Sequence, residues 1–468
     1  MTDPREQCLE VAGRVQSSLQ LASRQRHAQQ RRLAPPLRLL LGMAGLVAVG
    51  TLLLAMPVCG TERPLTLMEA FFTAVSALAT TGLTVITPGQ DLSLTGQLVL
   101  LGLMQVGGVG YMVLAVAVFM LLGRQVSMEE RITLRDSLGL VSAASILQLL
   151  RAVLVGVLTI ELIGAVLLFG LWAPRFGLAQ AAYQAVWHSV SAFSNASFDL
   201  FSGSPIAPAG FPHDAPTLLV ISALVILGSI GIPVLSDVVR WPKNRRLSVH
   251  TRLTLVTVAL LLVAGTVILF VGFSRQGDLF SDLPWQRRLL LSWFHSASAR
   301  TAGFVLEDLH EMSHANVLVL SVLMFIGGSP ASMGGGITTS TLAVLVLALL
   351  SHVRRRPQVV FARRSLSSGT IFKAAAILTL AMGFVGLISW LLLLTQQATL
   401  AEALFETVSA FATCGFTLGL TPRLDAFGQL LICLTMFCGR LGVLTVVAAF
   451  TEPARTLVTY PEEKILIG

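Results

Sequence analysis

Four short stretches of this chain place hydroxyl-bearing residues and a glycine where carbonyl oxygens could gather around a cation. They read Phe72-Thr-Ala-Val-Ser-Ala-Leu-Ala-Thr-Thr81-Gly82-Leu83 and Trp187-His-Ser-Val-Ser-Ala-Phe-Ser-Asn-Ala-Ser197-Phe198. They return as Phe294-His-Ser-Ala-Ser-Ala-Arg-Thr301-Ala-Gly303-Phe304 and Phe405-Glu-Thr-Val-Ser-Ala-Phe-Ala-Thr413-Cys-Gly415-Phe416. Each opens on an aromatic residue, continues as a short helix-like segment and ends on Gly, once Ser, before an apolar residue. Rings of backbone carbonyls can replace the water around an ion. The candidate donors are Thr80, Thr81 and Gly82; Asn195, Ala196 and Ser197; Thr301, Ala302 and Gly303; Thr413, Cys414 and Gly415. Gly82, Gly303 and Gly415 permit the positive φ that turns successive carbonyls toward one axis. At Ser197 the same angle costs about 1–2 kcal/mol, unless the turn shifts. The alternative reading is four helix-packing turns whose small residues allow close approach.

Such turns need a scaffold, and the composition names it. The chain is 54% hydrophobic and 12% charged, with mean hydropathy +0.79. Eight apolar stretches, near 38–58, 93–122, 146–171, 217–239, 252–273, 315–350, 372–396 and 426–450, match the roughly 20 residues of a membrane span. Residues 1–34 are polar and match neither a span nor a signal peptide. Each motif lies between two stretches and is too short to cross. A half-helix that dips in and returns as an extended turn is tolerated only beside protein or a watery cavity. Its C-terminal end carries partial negative charge, which favours a cation. Glu69 and Glu402 stand three residues before Phe72 and Phe405, where an acid caps a helix N-terminus. The expected fold is an all-α polytopic membrane protein with eight transmembrane helices. Four membrane–pore-loop–membrane repeats then surround a pseudo-fourfold pore.

The expected divisions are a basic tail over 1–37 and repeats over 38–136, 137–245, 246–364 and 365–468. The link 240–252 carries Arg240, Lys243, Arg245, Arg246 and Arg252, and the link 352–373 carries Arg354, Arg355, Arg356, Arg363, Arg364 and Lys373. The opposite side mixes Asp278, Asp282, Glu307, Asp308 and Glu311 with Arg287 and Arg288. Both links and both termini are therefore expected in the cytoplasm. Net charge is +8; acidic membrane lipids are its simplest partner, and no nucleic acid is expected. Cys8, Cys59, Cys414, Cys433 and Cys438 lack metal or redox spacing.

Several single residues stand out. Five glycines and Pro330 in the run 327–341 must break its helix. Arg440 is an intramembrane charge and a functional candidate on that ground; snorkelling is the alternative. Arg300 reads as a tie for the third turn, and His188 and His295 as packing residues of the half-helices with one hydrogen bond each. A metal or proton site formed by the two histidines is the alternative. Asp199 is either an acid at the outer mouth or a solvated loop residue. A membrane enzyme would need clustered His, Asp or Glu, and only Glu161 and Asp237 are scattered along the spans. A scaffold without transport would leave four costly polar turns unexplained.

At this point the motifs resemble the Trk/Ktr/HKT superfamily of potassium transporters, from about residue 38 onward. The pieces are Ala-Thr-Thr-Gly (79–82), Ala-Arg-Thr-Ala-Gly-Phe (299–304), Gln105-Val-Gly-Gly-Val-Gly110, Gly228-Ser-Ile-Gly-Ile-Pro233, Gly439-Arg-Leu-Gly442 and the run Gly327 to Thr341. The resemblance implies a monovalent-cation translocating subunit, carrying potassium with sodium as the alternative ion. It also implies an intramembrane gate loop with Gly327, Gly328, Ser329, Gly334, Gly335, Gly336 and Thr338, and Arg440 lining the cavity beneath the filter. Many relatives have Lys at the place of Thr338. Eight spans and the tail Tyr460 to Gly468 look like the bacterial Ktr-type membrane subunit. The implied assembly is a homodimer in the bacterial cell membrane on a separately encoded cytosolic nucleotide-binding ring. No cofactor is expected beyond the transported ion. This chain has no phosphate-binding lysine motif of its own. The channel-like subunit of a Kdp-type pump is the runner-up, although it is normally longer.

Overall fold

The computed structural model describes residues 35–110, 146–202, 210–276, 278–307 and 309–450. Expectations for the tail before residue 35, the second apolar stretch beyond Gly110, the boundary at 136/137, Asp308 and the residues after 450 fall outside the described residues.

A long helix, a short one, a turn and a further helix follow one another four times. The long helices are α1 (Pro35–Leu54), α4 (Ile146–Phe176), α8 (Val249–Phe273) and α12 (Ser368–Thr395). Among the described residues, only these four are singly long and apolar enough to cross a membrane, with mean hydropathy between 2.1 and 2.7. Their outward faces remain apolar, as at Leu52, Leu162, Val263 and Leu394, a surface that water does not sustain over such areas. The half-helices are α2 (Leu67–Leu78), α5 (Leu178–Phe193), α9 (Trp285–Ser298) and α13 (Leu400–Ala412). The second helices are α3 (Leu94–Val109), α6 with α7 (Ala215–Ile230, Ile232–Asn244), α10 with α11 (His314–Ile326, Thr339–Val353), and α14 with α15 (Ala426–Leu441, Val443–Phe450).

Short polar caps start these elements. Ser93, Asp214 and Asp425 accept from the first-turn N–H groups of α3, α6 and α14, which satisfies donors that the helix itself leaves free. Thr66 with Glu69, and Thr399 with Glu402, form capping boxes on α2 and α13. The two acids therefore do the capping expected of them.

Two stretches read as single spans are bent instead. α6 and α7 meet at 100° and α14 and α15 at 93°. The reason is local: Gly231 at φ 94° and Gly442 at φ 81° stop the helix, an angle that only glycine adopts freely. Gly110, at φ 87°, ends α3 in the same way. In the third unit the break widens into the loop 327–338 between α10 and α11.

Packing links the units in order. The second helix of each lies on the half-helix of the next: α3 on α5, α6 on α9, α10 on α13, and α14 back on α2. This last contact closes a ring. The one sheet among the described residues is a two-residue hairpin, Val360–Phe361 with Arg364–Ser365, in the basic link.

Candidate functional site: four turns over a glycine-rich loop

The C-terminal ends of the four half-helices converge, and the turns that follow them touch. Thr80, Thr81, Asn195, Ala196, Thr301, Ala302, Thr413 and Cys414 are fully buried. Three turns share one backbone form. Thr80, Asn195 and Thr413 stand at φ 53°, 54° and 49°, and two residues later Gly82, Ser197 and Gly415 stand at 87°, 59° and 100°. Ser197 therefore adopts the angle that glycine takes elsewhere, at the expected conformational cost. A serine in the half-helix latches two of these turns. Ser76 Oγ accepts from the Gly82 N–H and Ser409 Oγ from the Gly415 N–H, both at 3.1 Å.

The third turn departs from this form. Gly303 does not have the expected positive φ. Five residues separate Ser298 from Gly303, against six from Ser76 to Gly82, Ser191 to Ser197 and Ser409 to Gly415. The shorter turn continues helically, with the Thr301 and Ala302 N–H groups both donating to Ser298 O. A side chain at Gly303 would still collide with Gly415 C at 2.6 Å.

The fourth turn is the hub. Cys414 O accepts from the Gly303 N–H and, at 3.2 Å, from Ser197 Oγ. This carbonyl, expected to face an ion, is thus committed to protein donors. A Cβ on Gly415 would lie 2.2 Å from Thr81 O, and one on Gly82 2.5 Å from Ala196 O. Every turn touches another at its glycine or serine.

Directly beneath lies the loop 327–338. Thr80 Oγ1 donates to Met333 O at 2.8 Å, and the Gly335 N–H donates to Thr413 Oγ1 at 2.9 Å. Gly334 sits against the Thr301 side chain, where a Cβ would come within 2.2 Å. Threonines of three turns therefore rest on the loop. The second unit holds it from the side: Ser329 N–H to Ser229 O at 2.9 Å, Met333 N–H to Gly228 O at 3.1 Å, and Ile232 N–H to Ala331 O at 3.1 Å. Its ends are closed by Gly328 N–H to Gly335 O at 3.1 Å and Thr339 N–H to Gly328 O at 2.8 Å. Gly327 and Gly336 stand at φ 68° and 89°, and Ala331 and Thr338 at 55° and 73°. Thr338 is β-branched, so its angle is a genuine outlier.

Arg440 locks this arrangement. Its guanidinium donates to Met333 O in the loop and to Gly107 O in α3, with Gly108 O at 3.4 Å. The glycine-rich run thus supplies one of its partners, and Arg440 does not snorkel. Arg300 corrects another expectation: it is buried, but its guanidinium has no hydrogen-bond partner among the described residues. It ties nothing there. His188 and His295 are half-helix packing residues, with Nδ1 facing Gln184 O at 2.8 Å and Leu291 O at 2.9 Å. Asp199 is not an open mouth acid, because His188, the Phe201 and Ser202 N–H groups and Ser202 Oγ occupy its oxygens. Among the described residues no group of His, Cys, Asp and Glu could hold a metal.

Sequence reasoning passed over Glu406, and it used the paired glycines of the second helices as marks of a resemblance without giving them a packing role. Gly107, Gly228 and Gly439 each face a half-helix carbonyl, where a Cβ would lie 2.4, 2.0 and 2.0 Å from Leu78 O, Phe193 O and Phe411 O. The signal was available as Gly-x-x-Gly spacing, with the second glycine at each break.

Comparison with known proteins follows the same lines. The TrkH profile, described as a cation transport protein, matches residues 20–460. The chain is 35% identical over 435 residues to the Ktr system potassium uptake protein B of Vibrio alginolyticus, covering 92% of this chain and 95% of that one. It is 31% identical over 447 residues to the potassium/sodium uptake protein NtpJ of Enterococcus hirae, covering 94% and 98%. In fold it resembles the potassium transporter TrkH from Vibrio parahaemolyticus, with a TM-score of 0.68 at 19% identity over 88% of this chain and 83% of the other. This chain belongs to the TrkH family of cation transport proteins and is a multi-pass membrane transporter, not an enzyme.

Proposed function

We propose that this chain is the potassium-translocating membrane subunit of a Ktr-type uptake system, with the four turns as its selectivity filter and the loop 327–338 as its gate. One observation carries the reading: the ring of half-helices closes on itself, and its turns meet directly above a loop bonded to threonines of two of them. The units are the repeats 38–136, 137–245, 246–364 and 365–468, after a cytoplasmic tail over 1–37. Their half-helix C-termini supply partial negative charge to a cation, and the turns supply backbone carbonyls. Cys414 O joins such a ring only by exchanging its bonds to Gly303 and Ser197 for the ion. The loop blocks the path under the filter, and Arg440 holds it closed through Met333 O.

The chain works as a homodimer in the bacterial cell membrane, surrounded by lipids, with both termini in the cytoplasm. A separate cytosolic nucleotide-binding ring regulates it. Potassium is the carried ion, as the names of its relatives have it, and Ser197 relaxes discrimination against sodium. The name of NtpJ includes both ions, which supports sodium as a second carried ion.

The test is growth of a potassium-uptake-deficient bacterium on low potassium when this chain and its ring partner are expressed. Rescue is expected. Absence of rescue with the protein in the membrane contradicts the assignment.

A further inference from the structure

The fourth half-helix carries two carboxylates on one face, four residues apart. Glu402, at its start, caps the helix and pairs with Arg423. Glu406, one turn deeper, is fully buried, and its two oxygens accept from Thr417 Oγ1, at 2.8 Å, and from Thr421 Oγ1. Both threonines lie on the segment that leaves the fourth turn, two and six residues beyond Gly415. That segment is therefore stitched to the half-helix at two depths: an ion pair above and a buried carboxylate below.

The other half-helices differ at the lower level. In the first, Glu69 also pairs with an arginine, at 2.6 Å, but Arg63 precedes the half-helix and does not lie on the segment leaving the turn. Thr73 stands where Glu406 would, nine residues ahead of Gly82, and its hydroxyl has no partner among the described residues. In the second, His188 lies nine residues ahead of Ser197 and reaches Asp199, two residues beyond it, at 2.9 Å. In the third, His295 Nε2 has no partner among the described residues. Packing alone does not require a carboxylate at this level, since threonine fills it in the first unit. Burying one is costly unless its oxygens are bonded, and here both are.

The stitched turn is also the hub. Cys414 touches the second and third turns, and Gly415 touches the first. Displacement of the fourth turn therefore reaches all the others.

We infer that Glu406 is a positioning residue for ion selection: through Thr417 and Thr421 it fixes the path of Gly415-Phe416 and so the aim of the carbonyls in the turn. It does not touch the ion. The inference rests on the reading of the four turns as the ion path.

The test reconstitutes parent, Glu406→Ala, Glu406→Gln and the double variant Thr417→Val with Thr421→Val into proteoliposomes with the regulatory ring. It measures the ratio of potassium to sodium uptake as well as maximal rate. A change that only lowers the amount of active protein leaves the ratio unmoved. Loss of both bonds in Glu406→Ala should lower the ratio about tenfold. The double Val variant moves it the same way and decides the matter if the Ala protein does not fold. Gln accepts from one threonine and donates to the other, so Glu406→Gln should stay within about twofold of the parent. A parental ratio in the Ala or double Val protein overturns the inference, as does a Gln variant as altered as Ala. Absence of uptake by the parent overturns instead the reading on which the inference rests.

Discussion

The second helices of units one, two and four differ instructively from that of unit three. In the first three, a glycine passes the half-helix carbonyl and, three residues later, Gly110, Gly231 or Gly442 breaks the helix at φ 81–94°. In units two and four the chain resumes as helix in the next residue. In unit three, Met324 stands at the matching place, three residues before Gly327 where α10 stops, but helix returns only at Thr339. The break is common; among the described residues the inserted loop occurs in one unit. Its bonds run to the other three, through Thr80, Gly228, Ser229, Ile232, Thr413 and Arg440. Among the described residues, a fourfold scaffold thus carries one such loop.

The comparison breaks most sharply at the close approaches. Gly439→Ala puts a Cβ 2.0 Å from Phe411 O, and Gly228→Ala puts one 2.0 Å from Phe193 O, whereas Gly383→Ala meets nothing within 4 Å. The first two should lose more than about 2 kcal/mol, seen as a lower unfolding midpoint in detergent and poor recovery of folded protein. Equal midpoints for Gly439→Ala and Gly383→Ala would refute the packing account.

A smaller effect is expected from Arg440→Ala, which removes the bonds to Met333 O and Gly107 O. With the latch gone, basal cation influx without the regulatory ring should rise about tenfold, the size expected for losing charge-assisted bonds. Influx at or below the parental level in folded protein argues for a structural tie instead.

The mildest change is Ser197→Gly. It relieves about 1–2 kcal/mol of backbone strain and frees Cys414 O from the Ser197 hydroxyl. The preference for potassium over sodium should sharpen by about two- to threefold in competitive uptake. An unchanged ratio means that Ser197 does not set selectivity.

Much of this was legible in the sequence because the scaffold repeats. Four recurrences of one motif exposed the turns, and the density of glycine in 327–341 exposed the break, since both are local preferences of backbone. The strain at Ser197 followed from one substitution in a repeated pattern. What stayed hidden was relational. Matching the motifs by residue type without counting positions concealed the missing residue of the third turn, nine from Phe294 to Gly303 against ten in the others, and gave Gly303 a conformation it does not need. Cys414 looked like a free carbonyl donor because a sequence does not show that Gly303 and Ser197 reach across to it. Arg300 beside the third turn suggested a tie, but a motif names no partner. Glu406 was inconspicuous because its threonines lie beyond the turn and meet it only when the chain folds back.

The most direct test of the gate is tracer rubidium influx into proteoliposomes containing equal amounts of folded parent and of a variant lacking Gly327 through Gly336. On the proposed reading of the loop as the gate, influx should rise well above the parental rate and lose its dependence on the regulatory ring. Equal influx, still dependent on the ring, would contradict the account.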